Sequence, residues 1–184
     1  MSSYFRLAFF VSLLVTAVSG VLRAQQQPPT YSGEGEISEL VDAKVGAVFD
    51  LTSGFRMIFP KGIDSSGVFT LRTTRERPDP SQIQQGFTRH GSTLFFDGML
   101  SAADEPIIVG MSLQREPRRD GLKFVLAIEE ETECTGANAK YKLESGLCSQ
   151  WMVVATEYDE RNKCMAAKVK STGGYRLQFG WIPE

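Results

Sequence analysis

A single histidine, His90, limits the acid–base chemistry available to this chain of 184 residues. A serine–histidine–aspartate triad or a multi-histidine zinc site would have to be built around that one side chain. Residues 88–92 read Thr-Arg-His-Gly-Ser, which is typical of a turn that enters a strand. The sequence contains no nucleophile elbow and no phosphate-binding loop. The pattern favours a structural turn over a catalytic base. Most catalytic mechanisms therefore lack the side chains that they require.

Carboxylates are concentrated at positions 129–133, where four glutamates occur within five residues. With Asp120 or Glu144 they offer the hard oxygen ligands that calcium prefers, but the spacing of a dedicated calcium loop is missing. A solvated strand end is therefore favoured, and no metal or cofactor is predicted. A hydrolase that uses this acidic run, or Asp97 and Asp104, needs no histidine and remains the rival interpretation.

Three cysteines allow three different single disulfides. Cys134 and Cys148 flank a polar segment that has no strong strand pattern and would otherwise be a long loop between strands. We predict a disulfide between these two and a buried free thiol at Cys164. Pairing of Cys148 with Cys164 is the chief alternative.

Arginines are concentrated in two stretches of the sequence, residues 72–89 and residues 115–119. If their loops meet, these side chains would form a patch that faces a partner or an anion. The alternative is that they keep strand ends soluble and protect sheet edges. The candidate partner-binding residues are Arg75, Arg77, Arg89, Arg118 and Arg119.

The first 24 residues have the layout of a secretory signal peptide, with Arg6 preceding an apolar run without ionisable side chains. That run is shorter than the roughly 20 residues of a membrane-spanning helix. Cleavage after Ala24 would remove two basic residues and change the net charge from −2 to about −4. We expect an exported protein, periplasmic, on the cell surface or extracellular, with no transmembrane segment after cleavage and no nucleic-acid partner.

Residues 25–46 are expected to form a flexible tether, because Gln, Pro, Ser, Gly and Glu dominate its first half. Its apolar residues then recur at spacings of three and four, which predicts one short amphipathic helical turn. These residues are Ile37, Leu40, Val41 and Val45.

From residue 47 the apolar residues alternate, and turn dipeptides interrupt the runs. The predicted strands are 47–51, 55–59, 68–73, 92–96, 107–113, 123–130, 151–158, 165–170 and 175–179. Short connections require antiparallel pairing. We predict one all-β domain over residues 47–184, an antiparallel β-sandwich of about seven to ten strands with little helix. The side chains predicted to be buried are Met57, Phe69, Leu126, Val153 and Leu177.

Several of these runs resemble the β-sandwich domain shared by ankyrins, netrin receptors and zonula-occludens proteins, in its bacterial surface-protein form. Residues 53–62 are similar to that family's glycine-led strand followed by an apolar-Pro-x-Gly step. Residues 91–96 and 106–109 resemble its next two strands, and 151–158 and 174–177 its closing Trp and Gly-Tyr strands. The resemblance implies a protein-binding or structural module without a cofactor. Some relatives cut themselves at His-Phe-Ser, from which His90-Gly91-Ser92 departs at the middle position.

These observations predict a secreted or cell-envelope binding or scaffolding module without catalytic activity. The expected partner is another protein or an envelope component, bound by loop surfaces at one end of the sandwich. The alternatives are the carboxylate-based secreted hydrolase and a structural subunit that pairs through a sheet edge.

Overall fold

Two β-sheets pack face to face in the computed structural model, which describes residues 27–63, 66–74, 78–98, 105–169 and 174–184. The described residues form thirteen strands, one α-helical turn and one 3-10 turn. The strands are β1 Thr30–Gly33, β2 Glu36–Val41, β3 Ala47–Leu51, β4 Phe55–Phe59, β5 Gly67–Thr74, β6 Thr88–Arg89, β7 Thr93–Asp97, β8 Ile107–Ser112, β9 Leu122–Thr132, β10 Cys148–Ala155, β11 Glu157–Asp159, β12 Cys164–Val169 and β13 Gly174–Pro183; the helical turns are α1 Pro80–Ile83 and the 3-10 turn Ala139–Tyr141.

Sheet I has the strand order β1-β3-β4-β8-β12-β11, and sheet II has the order β10-β9-β13-β7-β5-β2, with β6 also paired to β13. All pairs are antiparallel except β1 with β3, which run parallel because the chain crosses to sheet II and back between them. The predicted all-β sandwich is confirmed. The strand count exceeds the predicted range, partly because the run 151–158 divides into β10 in sheet II and β11 in sheet I.

Alternation along the strands fills the space between the sheets. Met57, Phe69, Leu126 and Leu177 are all buried there, as predicted. Val153 is an exception: it is only half-buried. Val153 packs with the smaller cluster on the outer face of sheet II, and its neighbour Val154 packs against the core between the sheets instead.

This smaller cluster forms where the segment containing α1 covers the outer face of sheet II. Ile83 and Phe87 from that segment pack against Val125 and Trp151 of the sheet. The close approach depends on Gly180 of β13, since a Cβ there would lie 2.3 Å from the Phe87 ring. The sandwich is therefore backed by a partial third layer on one side.

The tether and helical turn predicted for residues 25–46 are wrong for the described part of that segment. β1 pairs with β3, and β2 pairs with β5 from Glu36 opposite Arg72 to Val41 opposite Gly67. The period of two in β2 buries Ile37 and Val41 and leaves Leu40 on the outer face. Residues four apart lie on the same face of a helix and of a strand, so the pattern of apolar residues fits both. Pairing with β5 makes the segment a strand.

Candidate functional site

A hollow on the outer face of sheet I is the candidate site among the described residues. One row of paired residues crosses β4, β8, β12 and β11 as Arg56, Gly110, Ala166 and Glu157. Between the two long charged side chains stand only a hydrogen and a methyl group. With strands about 4.8 Å apart, this leaves a gap about 14 Å wide between the outer Cα atoms.

The rows on either side complete the hollow. Ile58, Ile108 and Lys168 form one neighbouring row, and Cys164 and Asp159 belong to the other. The volume is about 330 Å³, within the lower range of ligand pockets. Its floor is apolar and its rim is charged.

Arg56 carries the principal donor of the rim. Its Nη2 donates to Asp50 Oδ2, which stands beside it on β3. Its Nε is buried and has no acceptor among the described residues. A buried N–H without an acceptor costs free energy. The Arg56 side chain as a whole is 35% exposed, so its guanidinium can also meet an acceptor that a ligand brings to the rim.

Two carboxylates, Glu157 and Asp159, line the hollow, and Asp159 also bonds within the turn that follows β11. Its Oδ1 accepts the backbone N–H groups of Arg161 and Asn162, at 2.9 and 3.0 Å, and its Oδ2 accepts Asn162 Nδ2 at 2.6 Å. The bonds from Asn162 lower the pKa of Asp159 below its ordinary value. An acid that is held ionised and shares its oxygens in this way is unsuited to donate a proton.

Cys164 lies in the wall of the hollow as a free, buried thiol, as predicted. Burial raises the pKa of this thiol, and the neighbouring Asp159 raises it further. The thiol is therefore protonated at neutral pH and poorly nucleophilic.

The predicted disulfide is present between Cys134 and Cys148. It closes the loop between β9 and β10, which contains the 3-10 turn. Asn138, a buried residue of this loop, accepts the Thr135 backbone N–H at 2.6 Å and donates to the carbonyl of Glu133. The disulfide and the hydrogen bonds of Asn138 therefore both hold the loop in place.

The acidic run 129–133 is divided by strand alternation. Glu129 is buried on the outer face of sheet II, where both its oxygens are bonded by Arg176 and one accepts Ser149 Oγ. Glu131 accepts a hydrogen bond from Ser145. In the described ranges no group of three or more acidic, histidine or cysteine side chains has a geometry that would hold a metal ion.

The five candidate arginines are only partly brought together. Arg75 and Arg77 lie outside the described residues. Arg118 and Arg119 share a groove with Lys123 at one end of the sandwich, but Glu116, Asp120 and Glu184 line it too. Arg118 is bonded to Glu116, and Arg119 lies over the Trp181 ring at 4.8 Å. Arg89 is part of β6, where it pairs with Gly180 of β13. Binding of a partner by these arginines stays a prediction.

His90 lies between β6 and β7, with its backbone N–H bonded to the carbonyl of Phe179 and its ring edge-on to Phe124. Burial, and secondarily the charge of Arg119, lowers the pKa of His90. The ring is therefore part of the packing at this end of the sandwich.

Sequence patterns did not single out the hollow. Gly110 and Ala166 are small residues in otherwise apolar strands, and the only signal was that both occupy outward positions of central strands. That they stand side by side follows from the pairing of β8 with β12, which sequence alone did not specify.

No protein-family model matches this chain, and no curated protein matches it in sequence. Among the described residues, no helix is long and apolar enough to cross a membrane.

Proposed function

We propose that the protein is a non-catalytic binding module, exported from the cell, that holds a protein partner on the outer face of sheet I. The observation that carries the proposal is the hollow between Arg56 and Glu157, with its apolar floor and charged rim. Protein interfaces concentrate their affinity in such places, where one anchoring side chain enters an apolar pocket and a polar rim excludes water.

The occupant that fits best is an apolar or aromatic side chain whose own backbone supplies an acceptor. The floor of Ile58, Ile108 and Ala166 would cover the side chain. The Arg56 side chain, which is 35% exposed, would then donate a guanidinium N–H to a neighbouring peptide carbonyl. A free carboxylate fits less well, because Asp50 already stands beside Arg56.

Two further observations support this proposal over the carboxylate hydrolase. Asp159 accepts three hydrogen bonds within its own turn, and Glu129 is bonded at both oxygens by Arg176. Both acids therefore hold structural positions: Asp159 orders the turn after β11, and Glu129 joins β9 to β13 and β10. The disulfide favours an oxidising compartment, which accords with export. The resemblance to the ankyrin and zonula-occludens sandwich domain also implies a binding module.

The test is a nuclear magnetic resonance titration with N-acetylphenylalanine methylamide, which combines an aromatic side chain with peptide carbonyls. The amide signals of Gly110, Ala166 and Ile108 are expected to shift, with a dissociation constant on the order of millimolar. N-acetylglycine methylamide, which lacks the side chain, is the matched control ligand and should shift them far less.

Two variants fill the hollow without touching the core. Ala166→Leu adds an outward side chain, and the Cβ that Gly110→Val adds meets its nearest atom at 3.6 Å, an ordinary contact. Both are expected to keep the fold and to abolish the shifts, whereas Met152→Leu, on the edge strand β10, should leave them intact. Shifts that persist in both filled variants, or an absence of shifts in the unchanged protein, would refute this site.

For the natural partner, a photo-reactive amino acid at position 168 on the rim is expected to cross-link one protein in the source cells. Ala166→Leu in the same chain should reduce that product severalfold. Equal cross-linking with and without the filled hollow would show that the partner is held elsewhere.

A further inference from the structure

Strand β2 forms one edge of sheet II. Among the described strands it pairs only with β5, so one side of its backbone has no strand beside it. A six-residue edge strand presents N–H and C=O groups that can pair with another extended chain. Addition of a strand to such an edge is a common mode of peptide recognition.

An exposed apolar pair stands beside this edge. Leu40 of β2 and Val68 of β5 lie directly opposite each other, and 62% and 64% of their surfaces are exposed. They have the highest exposed fractions of the large apolar side chains in the described residues. The next pair along the strands, Ser38 and Thr70, is polar and joined by a hydrogen bond of 2.8 Å. The apolar surface is therefore a short patch that one side chain of an added strand would cover.

The charge of the edge is of one sign. Glu34, Glu36, Glu39 and Asp42 fall within nine residues that include no lysine or arginine. Glu39 occupies the same phase as the buried Ile37 and Val41 and yet is exposed. An exposed acid at an inward-phase position is a device that discourages indiscriminate pairing of edges.

This charge pattern favours some chains over others as a partner strand for the edge of β2. Two copies of the chain paired edge to edge would place two acidic strands side by side, with the nearest cation in register, Arg72, one strand further in on β5; this disfavours a second copy. A segment with lysine or arginine at the matching positions would instead be attracted.

We propose that β2 receives an extended, basic segment of a partner protein as an added antiparallel strand. One apolar side chain of that segment covers Leu40 and Val68, and its basic side chains lie beside Glu36 and Glu39. This surface belongs to sheet II and is separate from the hollow on sheet I, so the proposal does not depend on the function proposed above.

The probe is the acetylated and amidated peptide Thr-Val-Lys-Thr-Val-Lys with a fluorescent label. In antiparallel register from Val41 to Glu36, it places valine opposite Leu40 and lysines opposite Glu39 and Glu36. Fluorescence anisotropy is expected to show saturable binding that weakens as salt is added. The same peptide with glutamates in place of both lysines should not bind.

Strand addition is distinguished from simple charge attraction by N-methylation. In an extended peptide, alternate N–H groups point to the same edge. Methylation of the first, third and fifth amides, or of the second, fourth and sixth, should abolish binding in one version and spare it in the other. Equal effects of the two patterns would overturn the proposal.

Variants of the protein locate the site. Glu39→Lys and Leu40→Thr are each expected to weaken binding by about tenfold or more. Met152→Thr, at a half-exposed apolar residue on the opposite edge strand, and Ala166→Leu, in the hollow, should leave it unchanged. Circular dichroism of each variant confirms the fold. Binding that survives both Glu39→Lys and Leu40→Thr, or sedimentation showing dimers that Leu40→Thr dissociates, would overturn the proposal.

Discussion

Glu129 of β9 and Arg176 of β13 form a two-point ion pair on the outer face of sheet II, although 47 residues separate them in the sequence. Ser149 Oγ of β10 donates to Glu129 Oε1, so the carboxylate links three neighbouring strands. The Trp151 ring lies 5.8 Å from the Arg176 guanidinium. Glu129 is the more buried member of the pair, since 23% of the Arg176 side chain is exposed against 4% for Glu129.

Removal of this carboxylate should destabilise the protein without changing its fold. Glu129→Ala removes the carboxylate that Arg176 and Ser149 share, and we expect a loss of about 2–3 kcal/mol. Urea unfolding followed by tryptophan fluorescence measures the change. Glu131→Ala, two residues further along the same strand and half-exposed, is the matched control and should cost less than about 1 kcal/mol. Equal costs for the two variants would contradict a structural role for the ion pair.

The disulfide should stabilise the folded protein by restricting its unfolded chain. Cys134 and Cys148 are 14 residues apart, and closing a loop of that size is worth about 3 kcal/mol in the chain-entropy model. The double variant Cys134→Ser, Cys148→Ser should lose about that much, and reduction of the unchanged protein should have a similar effect. Cys164→Ser leaves the disulfide in place and serves as the comparison. A double variant as stable as the parent protein would contradict this account.

The stability of the protein should fall as the pH falls below the ordinary pKa of histidine. Because burial lowers the pKa of His90 in the folded chain, the unfolded chain binds a proton first as the pH drops. Stability is therefore unaffected by this group above about pH 6.5 and decreases between that value and the lower folded pKa. Urea midpoints of the parent and of His90→Gln, measured from pH 8 to pH 5, test this. The same decrease in both proteins over that range would show that His90 is not its source.

Cys164 should react slowly while the protein is folded. Only 7% of its surface is exposed, and burial raises the pKa of its thiol, so little thiolate is accessible at neutral pH. Labelling with Ellman's reagent is expected to be at least about a hundredfold slower in the folded protein than in urea. Ala166→Leu should slow it further, because the added side chain covers the same hollow. Rapid labelling of the folded protein would mean that the thiol is open to solvent.

Alternation of apolar residues was enough to predict the sandwich and most strand positions. β3 and β4 were placed at their observed limits, because each has three buried side chains at alternate positions followed by glycine or proline punctuation. The disulfide was predictable for a similar reason, since both cysteines flank a polar segment between two apolar strands.

What sequence could not supply was the identity of each strand's neighbours. Ile37 and Val41 fit a helix as well as a strand until β5 is known to lie beside them. The hollow exists because Gly110 and Ala166 are paired across β8 and β12, and Glu129 is neutralised because β13 brings Arg176 beside β9. A local pattern records which face of a strand is buried, because burial depends on the period of two along the chain. Sites formed across strands depend on pairing between distant segments, which only the tertiary structure decided.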